Sequence, residues 1–361
     1  MTATQGTDRA DRLVSMLPDA GIDLLLVTDL TNLRYLTGYV GSNAIAVIGP
    51  DARTFATDFR YAVQVEEQVD RSFERRELPR DLPSAVEGVL PPGPVRLGFE
   101  NSMPVRIHTR LREVLPDRVE LIPVDGLIER LRVVKDAGEI ERMRAASELA
   151  DRALEQLLAD GLVGRSERDV ALALEVAIRK LGAERVSFEP IVAAGPNGAM
   201  AHAIPTDSEI PPGQLVVIDW GAQLDGYCSD CTRTIATGEV DEHAREVYEI
   251  VLRAQLTGVE AIRAGAGAAE VDSKAREVID AAGYAERFGH SLGHGVGLDV
   301  HEAPRLGPSA EEELVAGNVV TVEPGVYLPG ELGVRIEDLV VVTESGCEIL
   351  TSLPKELTVI G

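Results

Sequence analysis

The sequence predicts a protein of two domains, each of which combines α-helices with β-strands. The chain has 361 residues, and a domain of typical size has about 150. Helical and strand-like patterns alternate through residues 1–134, which indicates an α/β layer structure. In residues 135–361 the strands occur in groups with helices outside them, which favours an α+β fold. We therefore predict that the domains meet close to residue 134.

The first domain is predicted to begin with an amphipathic helix near residues 8–17, followed by an apolar strand at residues 22–27. The remaining elements are predicted at residues 44–48, 95–99 and 119–124 for strands and at residues 104–115 for a helix. This region has no phosphate-binding glycine pattern and no cluster of metal-ligating residues. We therefore expect its role to be structural.

The second domain is predicted to open with a long helix. Asp136 followed by Glu139 matches a capping box, in which two side chains satisfy free N–H groups at a helix start, and the helix is predicted to run to about Ala159. Ser166 with Asp169 three residues later indicates a second helix start. The remaining elements are predicted at residues 241–263 and 268–282 for helices and at residues 215–220, 227–235, 319–322 and 334–342 for strands.

Composition and charge exclude several classes of partner. The formal net charge is −25, so the chain would repel phosphate backbones and anionic lipids, and we expect neither nucleic acid nor a membrane as a partner. No apolar run approaches the roughly 18 residues of a membrane span, and the polar start of the chain lacks the pattern of a signal peptide. These features predict a cytoplasmic protein.

The cysteine pattern predicts reduced thiols rather than disulfides. The chain has three cysteines, an odd number in a long chain, which is not typical of a disulfide framework. Cys228 and Cys231 form a CxxC pattern, but it lacks the helix start of a redox pair and the second pair of a structural zinc site. We interpret both as small buried residues.

Two carboxylates are predicted to converge within residues 216–234. Two strand-like runs are joined there by an Asp-Gly turn signal at residues 225–226, which predicts a β-hairpin. With those residues in the turn, Asp219 lies opposite Thr232, so Asp219 and Asp230 are diagonal neighbours on one face. Two adjacent anions at the end of an apolar run are costly, and a divalent cation is the usual compensation. The alternative is a solvated face.

Two further carboxylates are predicted to face each other across a second hairpin. Its turn lies near Pro329 and Gly330, and residue 330 is the midpoint between Glu323 and Glu337. Both acids belong to Val-rich runs that we expect to be buried. Four such acids require a cation, and one imidazole ligand would shift the preference from Ca²⁺ toward Mn²⁺, Co²⁺, Fe²⁺ or Zn²⁺.

Histidines cluster in one glycine-rich segment that contains His290, His294 and His301. Glycines on both sides of His294 allow the backbone to approach an ion or a substrate closely. This setting favours a functional role for His294 and His301, whereas we interpret His290 as structural. His202 stands alone, and its own surroundings leave its role open.

Together, the segments IDWGAQLDGYCSDCTRT, HSLGHGVGLDVHEAP, VEPGVY and VRIEDLVVV resemble those of the methionine aminopeptidase and prolidase superfamily, which has a pita-bread catalytic fold. The preceding region resembles the amino-terminal domain of creatinases and prolidases. The elements around His202 and His301 are also similar to that branch, so Xaa-Pro dipeptidases and aminopeptidase P are the closer relatives. The resemblance implies a pita-bread metallopeptidase domain at residues 135–361 after a creatinase/prolidase-like domain at residues 1–134.

The resemblance also implies a centre of two divalent metal ions, with Mn²⁺ as the first candidate and Co²⁺, Zn²⁺ or Fe²⁺ as alternatives. It assigns Asp219 to one ion, Asp230 and Glu337 to both, and His294 with Glu323 to the second. Two cations roughly 3.5–4 Å apart lower the pKa of a bridging water, and the resulting hydroxide is the expected nucleophile. Retention of all five ligands argues against the amidine hydrolysis of creatinases, which have lost them.

Further roles follow from the same resemblance. Glu323 is expected to carry a proton from the attacking water to the leaving nitrogen. His202 and His301 are placed near the substrate, where either could donate to the developing oxyanion. Arg335 is expected to orient Glu337 and to contribute to substrate binding.

The implied substrate is a small peptide with proline at its second position. Arg305, four residues after His301, occupies a position where some prolidases have an arginine for the free carboxylate, which favours a dipeptidase. The alternative is a surface arginine. The resemblance also implies a homodimer. Two other functions stay open: non-catalytic peptide binding by the same fold, and hydrolysis of another amide or ester.

Overall fold

The computed structural model describes the backbone of residues 3–360, with side chains from residue 8 onward, and the chain divides into two compact units between Arg132 and Val133. Each unit combines helices with strands, which confirms the predicted mixture of α and β structure. In the described part of the chain, no helix is both long and apolar enough to cross a membrane.

The unit that ends at Arg132 is built on one six-stranded sheet. Its strands are β1 (Leu24–Val27), β2 (Ala44–Gly49), β3 (Ala52–Thr57), β4 (Glu74–Glu77), β5 (Val95–Glu100) and β6 (Val119–Val124), and its α-helices are α1 (Ala3–Met16), α2 (Leu30–Thr37), α3 (Ala62–Gln68), α4 (Val105–Val114) and α5 (Leu127–Arg132). The strand order is β4-β3-β2-β1-β5-β6, with β5 parallel to β1 and β6, and with β2 antiparallel to β1 and β3. The predicted elements of this region are all present, with ends shifted by a few residues.

The unit that begins at Val133 contains four α-helices in its described residues: α6 (Ala137–Ala159), α7 (Glu167–Lys180), α8 (Glu242–Ala261) and α9 (Ala268–Ala281). The starts of α6 and α7 have the predicted capping residues. The Asp136 carboxylate accepts the Glu139 N–H at 2.9 Å, and the Glu139 carboxylate accepts the Asp136 N–H at 2.8 Å. The Ser166 hydroxyl accepts the Asp169 N–H at 3.0 Å. Side chains adjacent in sequence therefore determine where α6 and α7 begin.

The strands of this unit form several small sheets. They are β7 (Arg185–Val186), β8 (Ile191–Ala194), β9 (Leu215–Trp220), β10 (Ala222–Leu224), β11 (Tyr227–Cys228), β12 (Cys231–Thr237), β13 (Gly293–Gly295), β14 (Glu302–Leu306), β15 (Val319–Val322), β16 (Gly325–Leu328), β17 (Leu332–Arg335), β18 (Asp338–Val342), β19 (Cys347–Ile349) and β20 (Val359–Ile360). The main sheets have the orders β20-β12-β9-β8 and β14-β13-β15-β18-β19.

Two hydrophobic cores hold these sheets against the helices. In one core, Leu154 of α6 and Leu174 of α7 pack with Ile218 and Trp220 of β9, and the Trp220 indole N–H donates to the Ala150 carbonyl at 2.9 Å. The other core joins α8 and α9 to strands β15 and β18. The inner strands are therefore buried, and acidic residues at their ends lie beside apolar layers rather than in solvent.

Two predicted strands are wrong as continuous elements. The run at residues 227–235 is interrupted at Ser229 and Asp230, and the run at residues 334–342 is interrupted at Ile336 and Glu337. The strand-like patterns did not reveal these breaks, because buried residues lie on both sides of each one. Both interruptions contain an acid that was predicted to bind metal.

Candidate metal centre

One cavity of about 560 Å³ brings together all nine residues predicted for the site. They are Asp219, Asp230, His294, Glu323, Glu337, His202, His301, Arg305 and Arg335. The residues come from four separate stretches of the chain, so only the folded unit assembles them. Their positions are observations, and the role of each stays a prediction.

The first hairpin has the predicted register. Asp219 of β9 pairs with Thr232 of β12, and the turn residues Asp225 and Gly226 have φ values of 48° and 87°, which suit the tight turns that match strand twist. The two strands leave the ladder beside Gly221, where an added Cβ would lie 2.0 Å from the Ser229 carbonyl oxygen. This close approach requires glycine at position 221. Asp230, the residue after Ser229, therefore lies in the break between β11 and β12.

The second hairpin places its two acids opposite each other between two paired sections. Gly325 of β16 pairs with Arg335 of β17, and Val322 of β15 pairs with Asp338 of β18. The same register runs through both pairs, so Glu323 and Glu337 face each other in the gap. The backbone ladder is interrupted at these two residues, and their side chains line the cavity.

His294 presents a neutral imidazole nitrogen to the acids. Its Nδ1 lies 3.0 Å from the Gly295 carbonyl oxygen, and this contact requires the proton on Nδ1 and a free lone pair on Nε2. The Nε2 atom is 3.6 Å from Asp230 Oδ2 and 3.4 Å from Glu323 Oε1. Burial lowers the pKa of His294 to about 4. The ring is therefore in the form that ligates a metal.

The carboxylates repel one another in a buried space. Burial raises the pKa of Asp230 well above its ordinary value, and the charges of Glu337, Asp219 and Glu323 raise it further. Burial likewise raises the pKa of Glu337, with further contributions from Glu323 and Asp219, and it raises the pKa of Glu323 to about 8. Four acids that face each other so closely need positive charge to ionise together.

The charge and donor set fit divalent cations. Oxygen and nitrogen atoms of Asp230, His294 and Glu337 lie within 4.8 Å of one another. Asp219 Oδ2 accepts from Arg335 at 2.7 Å, whereas its buried Oδ1 has no hydrogen-bond partner. An unpaired buried carboxylate oxygen is expensive unless a ligand satisfies it. Three carboxylates with one imidazole match first-row transition ions better than Ca²⁺.

Arg335, which was predicted to orient Glu337, is connected to that acid through Thr232. Its direct carboxylate partner is Asp219, and its Nε donates to the Thr232 hydroxyl at 3.0 Å. That hydroxyl in turn donates to Glu337 Oε2 at 2.7 Å. Arg335 therefore reaches Glu337 only through Thr232, because the guanidinium lies on the Asp219 side of the cavity. Thr232 was predictable as the residue opposite Asp219, but no pattern in the sequence indicated a role for its hydroxyl.

His202, His301 and Arg305 lie on the exposed walls of the cavity. The His301 ring packs edge-on against His294, with 4.4 Å between ring centroids. Arg305 Nε donates to the Ser291 hydroxyl at 2.7 Å, while its two terminal nitrogens have no hydrogen bond among the described residues. These three cationic or proton-donating groups therefore face the space that a substrate would enter.

Two residues that the sequence analysis did not assign to the site also contribute. His290, interpreted as structural, lines the cavity. Its Nδ1 contacts the Ser291 carbonyl at 2.8 Å, and its Nε2 contacts the Tyr327 hydroxyl at 2.9 Å. That hydroxyl also accepts from Arg335 at 2.9 Å. The clustering of histidines pointed to His290, whereas no signal in the sequence identified Tyr327.

A buried ion pair between Lys135 and Glu302 supports the segment between His294 and His301. Lys135 Nζ lies 3.1 Å from Glu302 Oε2, and these side chains are 1% and 7% exposed. The same carboxylate accepts the Asp299 N–H at 3.1 Å. A buried pair with these extra donors resists displacement, so Glu302 fixes the backbone next to His301.

The cysteine prediction is confirmed. Cys228 and Cys231 are free and buried, and burial raises the pKa of the Cys228 thiol to about 12. The Cys231 thiol lies 3.3 Å from the Glu337 carbonyl oxygen. Both residues therefore pack as protonated thiols beside the centre.

Comparison with known proteins gives two family matches that together span most of the chain. Residues 141–344 match metallopeptidase family M24, and residues 9–134 match the creatinase/prolidase N-terminal domain.

Named relatives agree with these matches over nearly the full length. An Xaa-Pro dipeptidase of Pyrococcus horikoshii is 36% identical, and the alignment covers 97% of this chain and 98% of the relative. The structure of an Xaa-Pro dipeptidase from Bacillus anthracis is similar with a TM-score of 0.93 at 39% identity, covering 98% of this chain and all of that one. The structure of an X-Pro aminopeptidase from Thermotoga maritima has a TM-score of 0.89 at 37% identity, with coverage of 98% and 100%.

Proposed function

The chain belongs to metallopeptidase family M24 and carries a creatinase/prolidase N-terminal domain, and from this premise we propose that it hydrolyses the peptide bond before proline. The family confirms the predicted pita-bread fold and a divalent-metal peptidase. The proposal extends this to a small substrate with proline at its second position. Named relatives of both dipeptidase and aminopeptidase type support it.

The observation that carries the proposal is the convergence of Asp230, His294 and Glu337. Their ligand atoms lie within 4.8 Å of one another on the wall of a cavity open to substrate. A protein that only bound peptides would gain nothing from two buried acids beside a neutral imidazole in this arrangement, because the repulsion between the acids lowers stability.

We propose that these three residues, with Asp219 and Glu323, hold two divalent ions, for which Mn²⁺ is the first candidate. When bound, the ions would lower the pKa of a water molecule and polarise the substrate carbonyl. Asp219 has one oxygen free for an ion because Arg335 occupies only the other.

Side chains of this protein supply the proton transfers. Glu323, whose Oε1 accepts from the Thr321 hydroxyl at 3.2 Å, is proposed to take a proton from the attacking water and deliver it to the proline nitrogen. His202 and His301 are proposed to donate to the oxygen that gains charge as the carbonyl is attacked. Proline nitrogen in a peptide bond has no N–H, so a site without an acceptor at that point can select for it.

A dipeptide is the proposed preferred substrate, because Arg305 offers two free terminal nitrogens to the cavity. A free carboxylate after proline is a suitable partner for a guanidinium that is already anchored through Nε by Ser291. A longer peptide has no charge at that point and would gain less from Arg305. Homodimerisation and a cytoplasmic location stay predictions from the sequence, and light scattering of the purified protein would test the first.

The test is a metal-reconstituted assay. The stripped protein is loaded with Mn²⁺, Co²⁺ or Zn²⁺ and given Leu-Pro, Leu-Pro-Gly and Leu-Ala at matched concentrations. We expect cleavage of Leu-Pro to exceed that of Leu-Pro-Gly and cleavage of Leu-Ala to be lowest. A D230N/E337Q variant, which keeps side-chain volume, is the matched control and should lose both metal and activity.

Separate results would refute separate parts of the proposal. Stoichiometric metal without cleavage of either proline substrate would exclude the peptidase activity and favour hydrolysis of another amide or ester. Absence of stoichiometric metal after reconstitution would exclude the metal centre and favour a non-catalytic peptide-binding protein. Faster cleavage of Leu-Pro-Gly would exclude the dipeptide preference alone.

A further inference from the structure

Another buried acid, Glu167, lies outside the cavity and contacts both ends of the segment that carries His202. Glu167 is the first residue of α7 and is 1% exposed. Its Oε1 accepts the Ala194 N–H at 2.8 Å. Its Oε2 accepts the Asn197 amide at 2.7 Å, the Thr206 N–H at 2.9 Å and the Thr206 hydroxyl at 2.7 Å.

All four hydrogen bonds to the Glu167 carboxylate are donated by neutral groups. No lysine or arginine pairs with this carboxylate among the described residues. A carboxylate has acceptor capacity for four such donors, whereas a glutamine side chain presents an N–H₂ group on one side. Removal of the donors would leave a buried acid without partners, which is strongly unfavourable. Glu167 therefore links the stability of α7 to the position of these donors.

The donors lie on both sides of His202 in sequence. Ala194 and Asn197 precede it, and Thr206 follows it. One carboxylate thus ties together the two ends of the segment of residues 194–206. The backbone continues this attachment, because the Arg168 N–H donates to the Thr206 carbonyl at 3.0 Å.

His202 itself has no side-chain hydrogen bond within the described residues, so its position depends on the backbone of its segment. The middle of that segment rests on the second hairpin. An added Cβ on Gly333 would lie 1.8 Å from the Gly198 carbonyl oxygen, and Arg335 donates to the Ala201 carbonyl at 3.1 Å. Glu167 holds the ends of the segment, and these contacts hold its centre.

We infer that Glu167 is a positioning residue that fixes residues 194–206 and thereby places the His202 ring at the cavity. The inference rests on the proposed function for the catalytic use of His202. The attachment of the segment by Glu167 is a separate physical claim, which is measurable without turnover.

The kinetic test is a double-mutant cycle with Glu167→Gln and His202→Ala on Leu-Pro in the metal-loaded protein. E167Q should lower kcat about tenfold with little change in KM, since the lost interaction acts in the transition state. In the H202A background the same substitution should change kcat by less than about twofold. An equal effect of E167Q in both backgrounds would overturn the role through His202.

The structural test is hydrogen exchange of the full chain with and without E167Q, measured on peptides that cover residues 194–206. We expect faster exchange in this segment and unchanged exchange in α8 and α9. Unchanged exchange in residues 194–206 would overturn the attachment whatever the activity. If wild-type protein cleaves no proline peptide, the proposed function fails while this measurement still decides the attachment.

Two further variants keep the test informative. T206V preserves side-chain shape but removes the hydroxyl that donates to Glu167 and accepts the exposed Ser208 N–H. It should show the same pattern at smaller size if E167Q does not fold. R168A is the matched control, because it breaks an exposed ion pair between α7 and Asp207, the residue that follows Thr206. R168A should leave kcat and exchange unchanged, and an effect equal to that of T206V would overturn the specific role of Glu167.

Discussion

Glu323→Gln is expected to stabilise the metal-stripped protein at alkaline pH. Burial and the charge of Asp219 raise the pKa of Glu323 from 4.5 to about 8, and the side chain is 17% exposed. Glutamine keeps the shape and the acceptor for Thr321 but carries no charge. The substitution therefore removes repulsion that metal ions would otherwise offset.

The size and direction of this change in stability follow from proton linkage. Between pH 4.5 and about 8 the folded chain retains a proton on Glu323 that the unfolded chain releases. The free energy of unfolding therefore decreases as the pH rises through this window, by on the order of 5 kcal/mol for the complete difference. At about 2–4 °C per kcal/mol this corresponds to a Tm difference of about 10–20 °C.

Thermal unfolding of chelator-treated protein between pH 5 and 8.5 measures this effect. The Tm of E323Q should equal that of the wild type at pH 5 and exceed it at pH 8.5. Addition of Mn²⁺ at pH 8 should then raise the wild-type Tm more than that of E323Q, because a proposed ligand is missing. E331Q, at a position 64% exposed on the turn of the same hairpin, is the matched control. A Tm difference that stays constant across the pH range would refute the reasoning.

Three other substitutions have defined expectations. T232V removes the hydroxyl that donates to Glu337 and should weaken Mn²⁺ binding about 10- to 100-fold in calorimetric titration; unchanged affinity would contradict this. R305M should raise KM for Leu-Pro about tenfold and leave that for Leu-Pro-Gly within about twofold, whereas equal changes would exclude carboxylate binding. G333A forces a Cβ against the Gly198 carbonyl and should lower the free energy of unfolding by about 1–3 kcal/mol in denaturant titration; a neutral result would show that the contact relaxes freely.

The sequence by itself determined the pairing within each hairpin of the centre. The Asp-Gly turn placed Asp219 opposite Thr232, and the turn at residue 330 placed Glu323 opposite Glu337, as the structure has them. Such pairing is predictable because side chains alternate with a period of two and the turn sets the register. Helix starts at Asp136 and Ser166 were predictable for a similar reason, since capping acts over three residues.

Only the tertiary structure decided that the two hairpins meet. The Glu337 N–H donates to the Thr232 carbonyl at 3.1 Å, across 105 residues of chain. Contacts of this kind also placed Tyr327 and Glu167, whose roles no local pattern revealed. Local patterns depend on residues that are neighbours in the chain, whereas the meeting of distant strands depends on the summed burial of two hydrophobic cores. The stabilisation from this burial is distributed over many weak contacts between distant residues. No short segment of the sequence therefore reveals it.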